Sequence, residues 1–150
     1  MNGIADGLMQ RLQAVQNAAE RVITGARRRD HISPAVRQLH WLPVRQRVQF
    51  KLAVLVVKAL HGLAPRCLTD DCQPVSAAGR RQLRSSDAVT CVVPRTRTCL
   101  GDRAFGVAGP RLWNSLPISL RQSGLSLGQF RRALKRICSI VSAGPSYFCF

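Results

Sequence analysis

The sequence predicts a mainly helical α+β fold, with about four helices and a small β-hairpin in its middle-to-C-terminal half. Three patterns carry that expectation. Apolar residues recur at helical spacing from Leu8 to Val22 and from Val44 to Ala59. The stretch "AVTCVV" alternates and is β-branched, and a Gly101-Asp102 turn signal follows it. Ser126 and Gln129 form a capping box that opens an amphipathic basic helix. A chain of 150 residues with 46% hydrophobic content can bury one modest core.

In the first element, Leu8, Leu12, Val15, Ala19 and Val22 fall on one helical face, and Gly25 follows as a C-cap. Arg27, Arg28 and Arg29 come next, placed either to contact phosphate or to complement the helix dipole. "HISPAVRQLHWLP" reads as a short helix with Ser33 as N-cap and Pro34 at its first position. From Pro43, Val44, Val48, Leu52, Leu55, Val56 and Ala59 share a face, while Arg47, Lys51 and Lys58 form a separate stripe. Phe50, Val54 and Val57 make the back of this helix apolar too, so it is expected to be the central, most buried element. Gly62 and Pro65 end it.

Beyond a linker or turn region at 67–87, "RTRTCL" and "RAFGV" flank the Gly101-Asp102 turn and read as the hairpin. Arg95 and Arg97 would then point to one side of its first strand. "GPRLWNSLP" reads as a single helical turn bounded by Pro110 and Pro117, with Trp113 as a packing anchor. In the last helix Leu127, Phe130, Leu134, Ile137 and Val141 line the apolar face, and Arg131, Arg132, Lys135 and Arg136 the opposite one. The organisation is a helical region at 1–66, the linker, a hairpin with the basic helix at 88–138, and a tail at 139–150.

Charge points to the partner. The chain carries 23 Lys+Arg against 7 Asp+Glu, a formal net charge of +16, which is the footprint of a phosphate-rich partner, most often RNA or DNA. The longest apolar run, Leu52 to Val57, is too short to span a bilayer, and no signal peptide is visible, so no membrane partner is expected. Six cysteines without close pairing suit reduced thiols in an intracellular protein, nuclear or cytoplasmic.

Two strings carry a family resemblance: "RRRDHISPAVRQLHWLPVRQRVQFKL" and "GPRLWNSLP", joined by "RSSDAVTCVVPRTRTCLGDRAFGVA" and "SLGQFRRALK". Together they resemble the C-terminal end of the reverse transcriptases of non-LTR (LINE-type, jockey-like) retrotransposons, from about Leu8 to Ile137. The resemblance implies a parent RNA-directed DNA polymerase whose catalytic palm and endonuclease lie upstream of this segment. It implies a post-thumb location, where the chain helps to hold the template–primer, and the nearness of Met1 to the family-like sequence suggests a truncated copy or a partial gene model. The tail "CSIVSAGPSYFCF" lies outside it.

"RCLTDDC" raises the question of catalysis. A polymerase aspartate pair needs a tight hairpin so that both carboxylates meet two metal ions. Asp70 and Asp71 follow a helix stop and lack flanking strands, so they are expected to cap or turn the chain. Cys67 and Cys72, with Cys91 and Cys99, are not spaced as tight zinc knuckles; a shared site is geometrically possible, but free thiols are the expectation. No P-loop or nucleophile elbow occurs, and Ser85 and Ser86 lack a patterned base. No catalytic residue, metal or cofactor is therefore expected.

Two functions remain. One is phosphate contact without sequence readout, through Arg27, Arg28, Arg29, Arg47, Lys51, Arg80, Arg81, Arg84, Arg95 and Arg97, together with Arg131, Arg132, Lys135 and Arg136 of the last helix. The other is a purely structural role, docking on the missing polymerase core or an intact element protein.

Overall fold

The structure, a computed structural model, describes residues 6–31, 36, 39–77, 88–122 and 124–141. Among these residues the chain is mainly helical: α1 (Asp6–Thr24), α2 (Val44–Leu60), α3 (Arg66–Asp71), α4 (Phe105–Ser115) and α5 (Leu127–Val141). Single turns of 3₁₀ helix at Gly101–Arg103 and Ile118–Leu120 flank α4. No helix among the described residues is long and apolar enough to cross a membrane.

One core spans both halves of the chain. Val56 and Val57 of α2 pack with Leu112 and Trp113 of α4 and with Phe130 and Leu134 of α5. The expectation that α2 is central therefore holds, since α4 and α5 both lie on it and α1 and α3 also touch it. Close approach of α2 and α4 depends on Gly109, where a Cβ would come within 3.0 Å of Val56 Cγ2. That same missing Cβ removes the clash that Pro110 imposes on the residue before it. Helix α4 thus runs through Pro110 for eleven residues, where the sequence suggested a single turn starting there. Trp113 is the anchor expected: it is buried, its indole N–H donates to Val89 O at 2.8 Å, and its ring lies 5.9 Å from that of Phe130.

Two expectations fail. The first is the hairpin: the described residues contain only isolated antiparallel bridges, Pro74 with Cys91 and Ala88 with Gln122. The segment around Cys91 is extended, but its backbone alternates between two unlike partners. Thr90 and Val92 bond the Gln73–Val75 backbone, whereas Cys91 is held by the side chain of Asn114. Downstream, the Thr96 hydroxyl bonds Asp102 and the Thr98 hydroxyl accepts from the Gly101 N–H. Such local side-chain bonds compete with a strand ladder and close the Gly101-Asp102 region as a 3₁₀ turn. Arg95 and Arg97 consequently lie on a loop, not on a strand.

The second concerns α1, whose shared apolar face would ordinarily be the one turned to the core. Its apolar face points outward: Leu12 is 51% exposed, Val15 68% and Val22 84%, while Gln16 and Glu20 are buried. Polar side chains explain the choice. Pro43 offers no side-chain cap to α2, and Gln13 Oε1 accepts the Val44 N–H instead, at 2.8 Å. Gln16 Nε2 donates to Leu42 O and to Glu20, and Arg45 pairs with Asp6 at 2.6 Å. Docking α1 through its glutamines leaves the leucine and valine stripe to solvent.

Candidate nucleic-acid interface

Helix α5 is built as its sequence dictates. The Ser126 hydroxyl accepts the Gln129 N–H while the Gln129 side chain accepts the Ser126 N–H, so two orphan donors are satisfied reciprocally. Phe130, Leu134 and Cys138 are buried beneath it, with Leu127 and Ile137 partly so. This burial turns Arg131, Arg132, Lys135 and Arg136 out to solvent, and all four are exposed. No acidic residue occurs between Leu127 and Val141 to neutralise them.

Elsewhere the candidate cations are exposed but dispersed. Arg27, Arg28 and Arg29 occupy the turn after α1, where the Arg27 N–H and the Asp30 carboxylate close a local bond. Arg47 and Lys51 lie on the exposed side of α2, and Arg95 and Arg97 on the loop before the 3₁₀ turn. Arg80, Arg81 and Arg84 lie outside the described residues, as do Ser33, Pro34, Ser85 and Ser86. The two ion pairs among the described residues, Arg45–Asp6 and Arg111–Asp102, involve none of these candidates.

The structure brings three of the α5 cations to a feature the sequence did not signal. Arg132, Lys135, Arg136 and Ser139 line an open groove of about 580 Å³ whose further wall is His40. His40 stands 92 residues upstream of Arg132 in the chain (132 − 40), so no local spacing could have linked them. One signal was present: histidine is among the few residues enriched in the left-handed region, which His40 adopts at φ 51°.

The acidic and thiol groups are distributed over several elements. Asp70 and Asp71 end the short helix α3, and Asp71 sits over the start of α4: a Cβ at Gly106 would meet its Cγ at 3.1 Å. There the α4 dipole favours an acid, although neither aspartate makes a capping hydrogen bond to this helix, whose N-cap is Ala104. Asp102, bonded by the Thr96 hydroxyl and then by Arg111, is held below the usual carboxylate range. Cys67 and Cys99 are exposed, whereas Cys72 and Cys91 are buried, so the four thiols do not converge. Burial, then the Asp71 charge, pushes the Cys72 thiol up to about 11. Burial, then Cys72, pushes Cys91 up to about 12 against an opposing effect of Arg121, and burial also raises Cys138. Among the described residues no group of three or more His, Cys, Asp or Glu is placed to hold a metal ion.

A second hollow, of about 20 Å³, lies beneath α2 between Ala53, Leu112, Leu134 and Cys138. It has room for about one water, beside the otherwise unpartnered Oε1 of Gln46. No family model matches the chain, and comparison with curated proteins and with solved structures finds no match.

Proposed function

We propose that the chain is a non-catalytic, nucleic-acid-binding segment of a LINE-type RNA-directed DNA polymerase, gripping template–primer phosphates through arginine-rich faces. One observation carries the reading: α5 presents Arg131, Arg132, Lys135 and Arg136 to solvent on a capped, well-packed helix with no acid along it. Fixed cations without internal partners favour phosphate, and contacts of this kind position a duplex or strand without reading its sequence. Binding of the purified protein to an RNA–DNA hybrid, duplex DNA and single-stranded RNA across a salt series tests the proposal. Four phosphate contacts give a slope of about −3 to −4 in log K against log salt. Absence of binding at low salt would overturn it.

A docking role is a second reading, favoured by α1. Leu8, Leu12, Val15 and Val22 form an apolar stripe exposed by half or more, wider than isolated surface leucines. Its occupant in this reading is the polymerase core that the family resemblance implies. Leu12→Glu with Val15→Glu is expected to change stability by no more than about 0.5 kcal/mol, the usual range for exposed positions. A larger loss would place this face under cover of the chain itself.

A further inference from the structure

We infer that the groove between α5 and the His40 turn is a discrete site for a nucleic-acid backbone phosphate, with His40 as a binding residue opposite Arg132, Lys135 and Arg136. The inference deepens the function proposed above and rests on it for the source of the phosphate.

Three observations converge on it. The first is composition: every charged side chain lining the groove is a cation, and Ser139 adds a hydroxyl. The Ser139 hydroxyl already donates to Lys135 O at 2.9 Å, so the donors that face a phosphate are those of the cations and of His40. The second is shape. About 580 Å³ lies within the range of clefts that hold small ligands, and the open mouth admits a continuing strand.

The third is backbone geometry at His40. The Trp41 N–H donates to Val36 O at 3.0 Å, the 6→1 bond of a Schellman close, which puts His40 at the left-handed position that glycine usually takes. A side chain there is unfavourable for an L-residue, and such positions gather at ligand sites, where the strain serves the ligand. Here the strained residue is exposed and projects an imidazole into the cationic groove. Among the described residues the His40 ring forms no hydrogen bond or ion pair. A protonated or neutral imidazole N–H is a donor for a phosphate oxygen, and Arg132 and Arg136 supply planar forks for the remaining oxygens.

The test uses the full chain, isotope-labelled, titrated at constant ionic strength with a single-stranded oligonucleotide and separately with inorganic phosphate. His40 ring resonances are followed with binding affinity in wild type, His40→Gly, His40→Asn, Arg136→Gln and the off-groove control Arg103→Gln. The expected result is that His40 shifts along the oligonucleotide binding curve. His40→Gly and His40→Asn, which suit the left-handed backbone, should melt at or above the wild-type temperature yet bind about three- to tenfold more weakly, the weight of one charge-assisted contact. Arg136→Gln should weaken binding comparably, and Arg103→Gln by less than about twofold.

If the oligonucleotide binds with its salt slope while His40 stays still and its variants bind normally, the groove inference falls and the broader function stands. Should inorganic phosphate alone saturate the His40 shift, the groove takes phosphate but its nucleic-acid source is overturned. Silence from both titrants overturns both.

Discussion

Asn114→Ala removes the side chain that bonds both the N–H and the C=O of Cys91 in the extended middle segment. In the wild type, Asn114 Oδ1 accepts the Cys91 N–H at 2.9 Å and Asn114 Nδ2 donates to Cys91 O at 2.8 Å. Cys91 is only 2% exposed, so water does not readily replace either bond. Leaving a buried donor or acceptor unsatisfied costs about 1–3 kcal/mol each, and partial relaxation brings the pair to about 2–4 kcal/mol. For a chain of this size that is a fall in Tm of about 5–15 °C. Urea denaturation followed by far-ultraviolet circular dichroism reads the loss, with the exposed Ser119→Ala as a control expected to lie within about 0.5 kcal/mol of wild type. An Asn114→Ala loss below about 0.5 kcal/mol would refute the claim that this amide holds the Cys91 backbone.

The contact of α2 with α4 and the buried thiols supply further tests. Gly109→Ala gains about 1 kcal/mol of helix propensity but restores the Cβ clash with Pro110 and drives a methyl to 3.0 Å from Val56 Cγ2, at an overpacking cost of about 1–3 kcal/mol. Net destabilisation of about 2 kcal/mol is expected, and Val56→Ala should relieve the part due to the Val56 contact in a double-mutant cycle. At pH 8 iodoacetamide is expected to label Cys67 and Cys99 in the folded protein and to leave Cys72 and Cys91 untouched until it unfolds, read by peptide mass spectrometry. Because both buried thiols ionise later in the folded state than at their ordinary 9.0, the unfolded chain loses its protons first as pH rises. The stability they contribute is therefore fully present below pH 9.0 and declines towards the folded values of about 11 and 12. Cys72→Ala with Cys91→Ala should flatten that alkaline decline in denaturation curves taken from pH 8 to 10.

What the sequence made legible follows the range of the interactions involved. The start and the two faces of helix α5 were readable, because its capping box, apolar face and cationic face are all set within a few positions of one another; buried Cys138 and the run of the helix into the tail at 139–141 were not. The central place of α2 was readable from its apolar residues on both sides. Helix α1 was found, but its orientation was not, since Gln13 and Gln16 act on Val44 and Leu42, 31 and 26 residues away. β-branched alternation around Cys91 marked an extended segment, yet its partners are the Gln73–Val75 backbone and the side chains of Trp113 and Asn114, and a side-chain amide leaves no strand signal. The basic face of the candidate site was visible as charge. Its groove was not, because His40 joins it only through the packing of the whole chain.

The most direct test of the central claim compares the salt dependence of RNA–DNA hybrid binding in wild type with a variant carrying Arg131→Gln, Arg132→Gln, Lys135→Gln and Arg136→Gln. These side chains are exposed, so the variant should melt close to wild type. If α5 grips phosphates, the variant's slope in log K against log salt shrinks by about 3 and its affinity at low salt drops at least tenfold. An unchanged slope in the folded variant would contradict the account.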